Sequence, residues 1–113
     1  NLAEVVLVVC NNKGAGVIER AHRIGIPLIM INREDFYETD HLSKELLTSG
    51  IDLIVLAGFL WLVPEHLIRT FPKKIINIHP ALLPSFGGKG MYGMFVHDAV
   101  IRSGVKETGI TIH

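Results

Sequence analysis

The chain has 113 residues, 11 Lys plus Arg balanced by 11 Asp plus Glu, and a single cysteine, Cys10. The length gives one small domain with a real core, and the charge balance excludes the basic footprint of a nucleic-acid binder or a polybasic membrane patch. No intrachain disulfide is possible, which fits a reducing, cytoplasmic setting with Cys10 packed as a small hydrophobe.

The apolar run at 5–10 reads as a strand buried on both faces, ended by the turn Asn11-Asn12-Lys13-Gly14. Residues 15–24 have helical spacing, with Val17, Ile18, Ala21 and Ile24 on one stripe and Gly25 at the C-cap position. A second strand, 26–31, tolerates Pro27 near its start and leads into a polar loop, 32–40. Residues 41–49 read as a helix with Leu42, Leu46 and Leu47 inward, closed by Gly50. A third strand covers 51–56, and Pro64 opens a short helix ending near Arg69. The fourth strand is 74–78, and a helix at 96–103 stops at Gly104. Residues 108–113 alternate as a last strand, with Ile110 and Ile112 on one face and Thr111 and His113 on the other.

The alternation of strand and helix predicts an α/β domain, a Rossmann-like open and mainly parallel sheet with helices on both faces and four parallel strands. The apolar stretch 53–63 is too short to cross a bilayer and is broken by Gly58, and nothing at the amino end resembles a signal peptide. The chain begins without Met and stops inside a strand pattern, so it is expected to be one incomplete domain, 1–113, of a longer protein.

The most informative segment is Asn77-Ile78-His79-Pro80-Ala81-Leu82-Leu83-Pro84. Two residues apart on a strand, Asn77 and His79 point to the same face. At the carboxyl end of a parallel strand that face opens toward the crevice where α/β proteins bind ligands. The two prolines then carry the backbone out of the sheet on a stiff path. An amide that hydrogen-bonds without titrating beside an imidazole that titrates near neutrality is a catalytic pairing. A turn-capping Asn and a loop His satisfied by its surroundings is the structural alternative.

The whole string, continued by Ser85-Phe86-Gly87-Gly88-Lys89-Gly90-Met91-Tyr92-Gly93, resembles the signature of the formyltransferases that use 10-formyltetrahydrofolate, in the branch acting on phosphoribosylglycinamide. The resemblance extends from the Asn11-Asn12-Lys13 turn through Ala57-Gly58-Phe59 to Thr111-Ile112-His113. It implies transfer of a formyl group from 10-formyltetrahydrofolate, as co-substrate, to the amine of 5′-phosphoribosylglycinamide in purine biosynthesis. It also implies that Asn77 and His79 are catalytic and that the bond before Pro84 is cis. Such a reaction develops an oxyanion, to which Asn77 can donate, while His79 moves a proton off the nitrogen.

By the same resemblance Leu60, Trp61, Leu62 and Val63, together with Asn77, hold the folate, the first four lining the pterin pocket. A flat heterocycle needs apolar walls with a few oriented backbone groups, although these residues also suit an apolar loop covering the core edge. Trp61 stands where relatives often carry a basic residue, so its side chain is expected only to flank the pocket. Lys89 in the glycine loop, His97 and His113 are expected near the substrate. The remaining histidines, His22, His41 and His66, fall on helices and are expected to be solvated.

No His, Cys or carboxylate spacing suggests a metal site. The family's phosphate-binding loop is expected before Asn1 and its catalytic aspartate after His113, so the piece alone is expected to be inactive. A methionyl-tRNA formyltransferase would carry an Arg-Gly-Ala-Ala-Pro-like string after the second proline, and a formyltetrahydrofolate deformylase a second histidine in place of Pro80. A non-catalytic module retaining the fold is the alternative from another class.

Overall fold

A computed structural model describes residues 2–113. The chain divides into two compact units, one running to Asp52 and including Pro64–Thr70, the other comprising Leu53–Val63 and Phe71–His113.

The first unit opens with β1 (Val8–Cys10), α1 (Gly16–Ile24) and β2 (Leu28–Met30). β1 and β2 are parallel, with Val8 opposite Leu28 and Cys10 opposite Met30. Pro27 is accommodated because it sits just before β2 and only its carbonyl is used, accepting from the Val8 N–H at 3.0 Å. Gly25 ends α1 in the left-handed region, φ 75°, and the Ile26 N–H closes the cap on the Ala21 carbonyl at 3.0 Å. Cys10 is buried and its thiol donates to the Asn12 carbonyl at 3.2 Å, as a packed small hydrophobe would.

Three helices complete this unit: α2 (Arg33–Glu38), α3 (His41–Thr48) and α4 (Glu65–Thr70). α2 stands where the sequence suggested a polar loop. Its cause is local: the Asn32 side chain accepts from the Asp35 N–H at 2.8 Å, and Glu34 and Asp35 place negative charge in the first turn. His66, expected to be solvated, instead ties helices together. Its Nε2 lies 3.2 Å from the Phe36 carbonyl, which can only accept, so Nδ1 is the acceptor for the buried Ser43 hydroxyl at 3.5 Å.

Three further expectations are corrected here. The first strand is shorter than 5–10, and Val5 is 65% exposed and Val6 also exposed, because only the last three residues of the run have a strand partner. On α1, Ala21 is buried but Ile24 is 68% exposed, and on α3 Ser43 rather than Leu47 joins Leu42 and Leu46 inside. Periodicity marks an apolar stripe; how much of its width is covered depends on what packs there.

The second unit contains β3 (Ile54–Ala57), β4 (Ile75–His79), α5 (Met94–Ser103) and β5 (Thr111–Ile112). β3 and β4 are parallel, Ile54 opposite Ile75 and Ala57 opposite Ile78, and β5 is antiparallel to β4 on its other side. The four parallel strands therefore hydrogen-bond as two pairs, β1–β2 and β3–β4, rather than as one described ladder. Sequence alternation indicates strand direction, while pairing is settled by tertiary contacts. Ala81, Val96 and Val100 form a buried cluster against which Phe86 and Met91 pack. Ala81 and Phe86 belong to the segment that follows β4, so that segment is packed through this cluster onto α5.

No helix of the described residues is long and apolar enough to cross a membrane.

Candidate active site

β4 begins Ile-Ile, two β-branched residues suited to a pleated, half-buried surface, and delivers Asn77 and His79 at its carboxyl end. In the β4–β5 register His79 lies opposite Thr111. One step out, Asn77 and His113 exchange backbone bonds in both directions, the His113 N–H reaching the Asn77 carbonyl at 2.9 Å. Side chains alternate along each strand, so Asn77, His79, Thr111 and His113 share one face of the sheet.

Hydrogen bonds fix the two key side chains. Asn77 Nδ2 is 2.8 Å from His113 Nε2. The amide nitrogen can only donate, so Nε2 of His113 is the acceptor in this contact. One of the two amide N–H groups of Asn77 is thereby used. His79 is 9% exposed, and its Nε2 lies 2.8 Å from the Phe86 carbonyl. A carbonyl only accepts, so Nε2 carries a proton, which leaves Nδ1 as the nitrogen that can exchange one.

The segment from Pro80 to Phe86 is held at several points. The Leu83–Pro84 bond is cis, as the resemblance implied. The Thr111 hydroxyl donates to the Ala81 carbonyl at 2.6 Å and accepts from the Leu83 N–H at 2.9 Å. Phe86, a non-glycine residue at φ 56°, occupies a backbone region that costs of order 1 kcal/mol or more. Packing of its ring against the Ala81–Val96–Val100 cluster and the bond from His79 offset that cost.

Segment 60–63 leaves the carboxyl end of β3. The register sets Ala57, the last residue of β3, beside Ile78, one residue before His79 ends β4, and the segment begins three residues further on. Leu60 and Leu62 are exposed, Leu62 at 84%, while Trp61 and Val63 are half-buried and Trp61 meets Phe59 edge to face with centroids 6.0 Å apart. Exposed apolar side chains of this kind are what the lining for a flat heterocycle requires.

The expected substrate-proximal residues divide. His113 joins the face directly. Lys89 and His97 are exposed, on the glycine loop and on α5, and no described hydrogen bond or ion pair links either to the four-residue face. Among the described residues no three His, Cys, Asp or Glu side chains converge as metal ligands. A cleft of about 270 Å³ with Ile29, Met30, Asp35 and His41 in its wall belongs to the first unit and shares no residue with this face. Two members of the site escaped the sequence reading. Thr111 could have been found, since alternation already put it on the face of His113. The Phe86 carbonyl is a backbone atom, and no residue letter announces it.

An amide and an imidazole on one face at the carboxyl end of a parallel strand stand where α/β folds bind their ligands. A formyl transferase profile matches residues 1–113, and the chain belongs to the formyl transferase family. The chloroplastic phosphoribosylglycinamide formyltransferase of Arabidopsis thaliana is 47% identical over 115 residues, covering 97% of this chain and 39% of that protein. The phosphoribosylglycinamide formyltransferase of Bacillus subtilis is 36% identical, covering 98% of this chain and 56% of its own length. The crystal structure of glycinamide ribonucleotide transformylase 1 from Geobacillus kaustophilus superposes with a TM-score of 0.82 at 40% identity, over 98% of this chain and 58% of that one. The chain thus spans between 39% and 58% of the length of these relatives.

Proposed function

We propose that the protein containing this chain transfers a formyl group from 10-formyltetrahydrofolate to the amine of 5′-phosphoribosylglycinamide, a step of purine biosynthesis. The observation that carries this reading is the Asn77–His79 pair on one face at the end of β4, in a chain that matches the formyl transferase family along its whole length.

The donor supplies a formyl carbon at the acyl level, and the residues act on what happens there. Asn77 directs its second amide N–H to the carbonyl oxygen, where negative charge grows as the amine attacks. His113 holds that amide by accepting its first N–H. His79 takes the proton released by the attacking nitrogen at Nδ1, its Nε2–H being held by Phe86, and returns a proton to the departing folate nitrogen. Leu60, Trp61, Leu62 and Val63 wall the pterin, and Asn77 also touches the donor through its formyl oxygen. In this reading Lys89 and His97 meet the acceptor at the outer edge of its path, a role their exposure permits.

The contacts to the substrate phosphate and the family's carboxylate are assigned to sequence before Asn1 and after His113. A small-molecule acceptor agrees with the balanced charge of the chain. The cytoplasm remains the expected compartment, given one free, buried thiol.

The test is steady-state kinetics on the full-length protein with both substrates. His79→Ala should lower kcat by about 10²–10⁴-fold with little change in donor binding, and Asn77→Ala should lower it comparably. A folded His79→Ala protein with near-normal kcat would refute the assignment.

A further inference from the structure

We propose that Thr111 is a positioning residue for His79, its hydroxyl fastening the turn that leaves β4 to strand β5. The inference rests on the reading above, in which His79 moves the proton. β5 pairs with β4 only as far as Thr111 opposite His79, so the backbone that follows His79 has no strand partner to continue the ladder. The Thr111 side chain takes over that role. A hydroxyl has one donor and two acceptor positions. Here it gives the proton to the Ala81 carbonyl at 2.6 Å and receives the Leu83 N–H at 2.9 Å, bridging two peptide units of one turn from a single oxygen.

The turn matters to the imidazole because its far end supplies the acceptor that orients the ring. Ala81 is fully buried at one end, and Phe86, whose carbonyl receives His79 Nε2–H, lies at the other. With the hydroxyl in place, both ends of the segment are referred to the β4–β5 pair: one through Thr111, the other through His79 itself. Without it, the Ala81 carbonyl and Leu83 N–H lose their shared partner. The segment must then shift to find others, carrying the Phe86 carbonyl with it. β5 is also set close to this turn by Gly109, where a Cβ would lie 3.1 Å from Leu82 Cδ2. A displacement of about 1 Å at a reacting group can cost about 10²-fold in rate.

The experiment uses the full-length protein with 10-formyltetrahydrofolate and phosphoribosylglycinamide, measuring kcat and both KM values. Thr111→Val keeps the shape and removes the hydroxyl; it should lower kcat by about 10–10²-fold with both KM values within about threefold of the parent. Thr111→Ser restores the hydroxyl and should return kcat to within about threefold. A purely structural role would lower the folded fraction and be equal for the two substrates, without a change in kcat per folded molecule. If Thr111→Val does not fold, Thr111→Ala takes its place, and exchange of the Leu83 amide is followed as well: rapid exchange with reduced kcat supports the bridge, and parental exchange overturns it. Parental kcat in folded Thr111→Val, or a Thr111→Ser protein as slow as the Val variant, also overturns it. His79→Ala runs beside these variants. If it retains parental kcat, the role of His79 fails; if it is slow while Thr111→Val is not, only the positioning role fails.

Discussion

Val96 is the residue through which stability and the candidate site can be tested together. Its side chain is 0% exposed and packs with Ala81, Val100, Phe86 and Met91 beneath the turn that carries the His79 anchor. Val96→Ala removes two carbons from water-free surroundings, a transfer loss of about 1.6 kcal/mol at ~0.8 kcal/mol per group. If the surroundings do not collapse, a void of about 50 Å³ adds ~1.2 kcal/mol at roughly 24 cal/mol per Å³. The expected destabilisation is therefore about 1.5–3 kcal/mol, depending on how far Met91 and Phe86 can follow. Urea unfolding of the full-length protein gives the measurement. With a slope of roughly 1–3 kcal/mol per molar urea, the midpoint should fall by about 0.5–3 M. Ile24→Ala is the control: the apolar stripe of α1 would count it as core, but at 68% exposure it should cost less than about 0.5–1 kcal/mol. A Val96→Ala loss no larger than the Ile24→Ala loss would show that the cluster under the turn is not a packed core.

Two further outcomes are expected. Asn32→Ala removes the acceptor held 2.8 Å from the Asp35 N–H and should cost about 0.5–2 kcal/mol, with the Asp35 amide exchanging faster; unchanged exchange at Asp35 would remove the cap as the cause of α2. Leu62→Asp should weaken binding of the folate donor while leaving thermal unfolding nearly unchanged, because Leu62 is exposed and its replacement puts charge against an apolar ring only when ligand is bound. Donor affinity equal to the parent in that variant would take segment 60–63 out of the pocket.

The parts of the molecule that were legible in the sequence are those set by local periodicity. Gly25 and Gly104 end helices in the left-handed region where the pattern put them. The Asn77–His79 pair arrives at the carboxyl end of a strand parallel to its neighbour. The parts that were not legible depend on partners distant in sequence. Helix α2 did carry a local signal, Asn32 three residues before Asp35, but its six residues are too polar to show an apolar stripe. His66 looks like a helix-surface residue until α2 and α3 pack against it. Val5 and Val6 have the composition of a buried strand, but composition cannot say whether a neighbour covers them. Alternation put Thr111 on the face of His113. Its hydroxyl's partners, about thirty positions earlier in the chain, are a tertiary fact.

The candidate site is held chiefly by backbone groups, and this decides where it is vulnerable. His79 is oriented by a carbonyl, and the turn by a carbonyl and an N–H. No substitution deletes a backbone carbonyl, and only proline would delete the Leu83 N–H, so changes in the exposed parts of the glycine loop, at Lys89 for example, leave the anchor of the imidazole intact. The anchor moves only when whatever fixes the backbone moves. Three residues do so in different ways: Val96 by filling the space beneath, Thr111 by bridging across from β5, and Gly87 by having no side chain. A Cβ at Gly87 would stand 2.8 Å from Leu83 Cδ2, so a larger residue would first turn aside the end of the Leu83 side chain, on the residue whose N–H is one half of the Thr111 bridge. None of the three touches the reacting atoms in the proposed chemistry. Each nevertheless constrains the position of the one carbonyl that decides which nitrogen of His79 is free.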